Sequence, residues 1–74
     1  MFDPRHAPAY AAAIDAAEVV YRANIDAYDF DAFMAARDSF LAVWPDAPNA
    51  RYETDTIAQR AADAAWRRIE EVAA

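Results

Sequence analysis

An all-α fold, a small antiparallel three-helix bundle, is the architecture this sequence predicts, and three observations predict it. Alanine supplies 22 of the 74 residues and glycine none, so the chain is rich in the best helix former and lacks a residue that weakens helix interiors. The four prolines stand at positions 4, 8, 45 and 48, outside the long alanine-rich runs. Apolar residues recur at spacings of three and four through three segments, the period of a helix with one buried face. Short links between such segments favour antiparallel neighbours.

Residues 1–7 read as an N-terminal arm, because Pro4 and Pro8 both resist helix interiors while Pro8 suits a first helical turn. Residues 8–74 are then a single three-helix domain, as a chain of 74 residues has no room for a second core. The first helix is expected from about residue 8 to about residue 26. Tyr10, Ile14, Ala17, Tyr21, Ile25 and Tyr28 share one face, and Asp15, Glu18, Arg22 and Asp26 share another. Glu18 with Arg22, and Arg22 with Asp26, stand four apart and can pair weakly. A third stripe, Ala12, Ala16, Val19, Ala23 and Ala27, is small enough to admit a neighbouring helix closely.

The second helix lies in "FDAFMAARDSFLAVWP". Phe30, Phe33, Met34, Phe40, Leu41 and Trp44 fall to one side, with Asp31, Asp38, Ser39 and Ala42 roughly opposite. This aromatic side is expected to fill the groove between the other two helices. Asp29 is a good N-cap. Pro45 cannot donate a hydrogen bond and disfavours helical geometry at Trp44, so the helix stops there.

The third segment brings Ile57, Ala58, Ala61, Ala62, Ala65, Ile69 and Val72 to one side, with Trp66 at the margin. Two starts are open: Thr56 followed by Gln59 resembles a capping box, and the helix could equally begin near Ala50.

Composition excludes several functions. Without cysteine there is no disulfide and no thiolate for zinc or catalysis. A net charge of −6 opposes binding to phosphate backbones and to anionic membranes. No apolar run approaches the roughly 20 residues that span a bilayer, and the N-terminus lacks the basic start and apolar core of a signal peptide. A cytoplasmic protein is expected.

The stretch "DAYDFDAF", residues 26 to 33, sets three aspartates among three aromatics. A lone strand would have no partner segment, and an EF-hand loop needs oxygen ligands or glycine where Phe30 and Phe33 stand. A helix junction fits better: Asp26 closes the first helix, Tyr28 folds back on it, Asp29 caps the second and Phe30 begins the next core stripe. Junction chemistry leaves part of the acidity unexplained. Residues 1–49 hold eight acids and three arginines, against five acids and four arginines in residues 50–74. Asp31 and Asp38, two turns apart and about 10 Å by helical rise, join Asp26 and Asp29 in an acidic ridge beside Tyr28 and Phe30. Such a ridge either steers the chain to a basic surface or serves only solubility.

Among other residues, His6 reads as an exposed bystander in the arm, and Ser39 has no histidine near it in sequence to make a nucleophile. Arg37 falls within the aromatic side of the second helix. It snorkels along the aromatics, pairs with a carboxylate of another helix, or marks a contact with a partner. The arginines of "WRR" at 66–68 are interleaved with acids, which cancels a nucleic-acid stripe.

The expected function is a small acidic, non-catalytic interaction protein, an inhibitor or adaptor that docks on a basic surface such as a nucleic-acid-binding cleft of a partner protein. The docking residues would be Asp26, Tyr28, Asp29, Phe30, Asp31, Arg37 and Asp38. No cofactor, metal, membrane or direct nucleic-acid contact is expected. The alternative is a helical module that self-associates as a homodimer or larger homo-oligomer. A DNA-binding regulator is a third reading, disfavoured by charge.

Overall fold

A computed structural model describes residues 4–23, 29–47 and 52–73, and places α1 at His6–Ala23, α2 at Asp29–Val43 and α3 at Tyr52–Ala73. Each helix packs against both others. Their directions follow from side-chain contacts. His6 meets Phe40 and Trp44, while Tyr21 meets Asp29, so α1 and α2 run antiparallel. Asp15 meets Arg68 further along both α1 and α3 than the neighbourhood of His6 and Thr56, so those two run parallel. The chain is an up-down-up three-helix bundle.

Helix α1 starts at His6, so residues 6 and 7 belong to it and not to an arm. The Ala9 amide donates to the Arg5 carbonyl at 3.1 Å, which closes the first turn. Pro8 lies among the opening residues, whose N–H groups have no acceptor inside the helix, so its missing donor leaves no bond unmade. Ile25, Asp26, Ala27 and Tyr28, assigned by the sequence to the first helix and its junction, lie outside the described residues.

Alanine rows form the seams. Ala9, Ala13 and Ala17 of α1, Ala32 and Ala36 of α2, and Ala58, Ala61 and Ala65 of α3 are all at 0% exposure. This corrects the expected small-residue stripe of α1, because Val19 within it is 66% exposed and Ala23 also faces outward. Ile14, Ala17 and Tyr21 are buried as the helical spacing indicates.

Helix α2 requires the larger correction. Its buried row is Ala32, Ala36 and Phe40, four residues apart, while Phe33 and Leu41 are only partly buried and Phe30 is exposed. Alanine-lined helices bring their backbones close together, and the remaining space does not hold a continuous row of large side chains. Phe40 and Trp44 are accommodated at the end of α2, where they pack on each other and on His6.

The end of α2 follows the sequence expectation. The Trp44 amide still donates to the Phe40 carbonyl at 2.9 Å, and Pro45 then has no N–H to offer. The Ala47 amide donates back to the Trp44 carbonyl at 3.3 Å, which closes the turn at residues 45 and 46.

Helix α3 begins at Tyr52, so Thr56 lies inside the helix and is not its cap. Ala58, Ala61, Ala62 and Ala65 are buried, Ile57 and Ile69 partly so, and Val72 is 76% exposed. The apolar stripe of α3 therefore continues past the part of the helix its neighbours cover. Trp66 presents an edge to Tyr21 with ring centroids 5.1 Å apart. Two polar atoms, Trp44 Nε1 and Thr54 Oγ1, are buried without a hydrogen-bond partner among the described residues. No helix among the described residues is long and apolar enough to cross a membrane.

Candidate docking face on helix α2

Burial of Ala32, Ala36 and Phe40 decides what α2 turns outward. At 100° per residue, the side opposite that row carries Phe30 and Met34 next to a line formed by Asp31 and Asp38. Phe30 is 65% exposed, and its ring stacks on Phe33 with centroids 6.2 Å apart and planes 29° apart. Asp31 and Asp38 are exposed. Neither engages an arginine among the described residues, whereas Asp15, Glu18 and Asp55 all do.

Asp29 occupies the first position of α2 and has a specific local task. Its Oδ1 accepts a hydrogen bond from the Tyr21 hydroxyl at 2.9 Å, which ties the end of α1 to the start of α2. Burial, the bond to Asp29, and the charges of Asp29 and Asp63 together push the Tyr21 phenol up to about 12. Each of these disfavours a second negative charge at that position. Asp29 and Asp31 also stand in the first turn of α2, where the helix dipole favours carboxylates.

Arg37 is resolved as a cross-helix pair. Its Nε donates to Asp55 Oδ1 of α3 at 3.0 Å, with the arginine side chain 33% exposed and the aspartate 49%. Of the seven residues expected to dock, five are described. The structure brings Phe30, Asp31 and Asp38 onto one outward side, assigns Asp29 to Tyr21, and assigns Arg37 to Asp55. Asp26 and Tyr28 lie outside the described residues.

The carboxylates of α1 are used within the bundle. Arg68 of α3 reaches Asp15 at 3.1 Å and Glu18 at 3.9 Å, and Arg22 holds Glu18 at 3.2 Å along α1. Asp31, Asp38 and Asp46 are exposed on α2 and the turn after it without an arginine among the described residues, as are Asp63, Glu70 and Glu71 on α3. Among the described residues no group of three or more histidine or acidic side chains is arranged to hold a metal ion.

His6 departs from the expectation of an exposed bystander. Its ring lies parallel to Tyr10 at 6.0 Å and takes edge contacts from Phe40 at 6.2 Å and Trp44 at 6.4 Å. The Arg5 guanidinium sits over the Trp44 ring at 5.2 Å. The i, i+4 spacing of His6 and Tyr10 is the sequence signal for this cluster, and the flanking Pro4 and Pro8 mask it. No protein-family model matches the chain, and no curated protein or solved structure matches it either.

Proposed function

We propose that this chain is a small acidic, non-catalytic interaction protein that docks on a basic surface of a partner protein as an inhibitor or adaptor. The observation that supports the reading is the outward side of α2, where the stacked Phe30–Phe33 pair borders Asp31 and Asp38, which meet no arginine among the described residues. Exposed aromatic area supplies apolar contact once water is excluded. The excess negative charge, −6 over the whole chain, supplies attraction at longer range and orients the encounter. A cleft that normally holds phosphates has the complementary charge, and occupying it would block its use.

Capture from the native cell tests this reading with the wild-type chain and the Asp31→Asn/Asp38→Asn variant side by side. Both carboxylates are exposed and take no part in the described ion pairs, so the variant is expected to fold. The proposal expects a protein with a basic surface to be retained by the wild type and lost by the variant. Equal retention by both would refute it.

Self-association is the second reading, favoured by Val19, Phe30 and Val72, which are 66%, 65% and 76% exposed. Sedimentation of the purified chain over a range of concentrations separates the two. A docking protein remains a single 8.2 kDa chain, and a self-assembling module grows with concentration.

A further inference from the structure

The side of the bundle between α1 and α3 carries features that the α2 docking face does not use. Two neighbouring cavities open there, of about 340 and 310 Å³. His6, Ile57 and Arg60 line the first, and Tyr10, Arg60 and Arg67 the second, so Arg60 borders both. Volumes of this size reach the lower end of the range in which small-molecule sites fall, about 300–1,000 Å³.

We propose that this channel binds a small organic anion bearing a flat ring, the chemistry of a mononucleotide. The charge half of the argument rests on Arg60 and Arg67. Arg22, Arg37 and Arg68 each hold a carboxylate, but Arg60 and Arg67 hold none among the described residues. They lie seven residues apart on one stripe of α3, about 10 Å by helical rise. Guanidinium groups bind phosphate and carboxylate oxygens through paired N–H donors, and both arginines are exposed and available.

The ring half rests on His6 and Tyr10. Their planes are within 10° of parallel with centroids 6.0 Å apart, and His6 borders the first cavity while Tyr10 borders the second. The edges of Phe40 and Trp44 buttress His6 from within the bundle. A planar ligand gains aromatic contact with either ring without reordering the pair. Ile57 adds an apolar contact.

Two carboxylates also line the channel and narrow the ligand. Asp63 already accepts from the Gln59 amide at 3.3 Å, and Glu53 is engaged within the chain. The Asp63 oxygen not held by Gln59 suits an amino or hydroxyl group of a nucleoside, and both carboxylates repel a bare anion. The channel should therefore prefer an anion with an attached ring and donors over phosphate alone. This reading stands independently of the docking proposal.

The test is an NMR titration of the full chain with AMP at low ionic strength, with adenosine and inorganic phosphate as parallel arms. Saturating shifts centred on His6, Tyr10, Ile57 and Arg60 are expected, with adenosine and phosphate each at least about tenfold weaker. Arg60→Gln and Arg67→Gln, at exposed positions, should retain the fold and weaken AMP about tenfold each. Absence of saturation in the millimolar range would overturn the proposal. So would shifts scattered over other faces, adenosine binding as tightly as AMP, or unchanged affinity in the Arg60→Gln/Arg67→Gln double variant.

Discussion

The hydroxyl of Tyr21, in the last turns of α1, donates to Asp29 Oδ1 at the first position of α2, and the 2.9 Å bond fastens two antiparallel helices at one end. Tyr21 is only 5% exposed, and Trp66 of α3 covers its ring edge-on. One side chain thus joins all three helices. Tyr21→Phe keeps the ring contacts and removes the bond. It should cost about 1.5 kcal/mol, the low end for a bond to a charged group, because Asp29 itself is exposed. Urea denaturation with an unchanged slope measures this cost, and an unaltered midpoint would show that the bond contributes nothing.

The same tyrosine makes stability depend on alkaline pH. Its phenol, ordinarily near 10, is pushed up to about 12 in the folded chain by burial, the bond to Asp29 and the nearby carboxylates. Folding therefore favours the neutral phenol. The stabilisation is fully present below pH 10 and disappears as pH rises from about 10 to 12. The loss is on the order of 2 kcal/mol by the upper end of that window. The difference in ultraviolet titration between wild type and Tyr21→Phe should show one tyrosine ionising near pH 12. Ionisation near 10 would contradict the assigned environment.

Arg37 and Asp55 make a partly exposed pair, with a third of the arginine side chain and half of the aspartate in contact with solvent. Solvent screens such a pair, and its contribution is at most about 1 kcal/mol. Arg37→Leu should consequently shift stability by less than about 1 kcal/mol in either direction. A loss of several kcal/mol would mean that the pair is more deeply enclosed than the structure indicates.

The alanine seams predict the opposite sensitivity. Ala36 and Ala61 are at 0% exposure on facing helices, and a leucine at either position adds three carbons where helices are in close contact. Ala36→Leu and Ala61→Leu should each destabilise by about 1–3 kcal/mol. Ala42→Leu, on the exposed side of α2, is the control and should leave the thermal midpoint nearly unchanged. Equal effects at buried and exposed alanines would place the seams elsewhere.

Helix number and the stop at Pro45 were legible because each depends on local chemistry: alanine propensity and a missing N–H. The faces were less legible. Periodicity grouped Phe30 with Phe40, yet the choice of buried row was made by helix separation, which alanines on α1 and α3 set and which no single segment reveals. His6 was misplaced for a similar reason, since its neighbours Phe40 and Trp44 arrive from residues more than thirty positions away. Among the proposed docking residues, exposure of Asp31 and Asp38 follows from their helical angle. The tasks of Asp29 and Arg37 depend on Tyr21 and Asp55, which only the assembled bundle brings to them.

Charge-steered docking through α2 is examined most directly by the association rate of the captured partner as a function of ionic strength. Raising salt from about 0.05 to about 0.5 M shortens the screening length to a few Å, and the rate should fall at least about tenfold for the wild type. The Asp31→Asn/Asp38→Asn variant should start slower and respond less. A rate that ignores salt, or one equal in the two proteins, would contradict an interaction guided by those carboxylates.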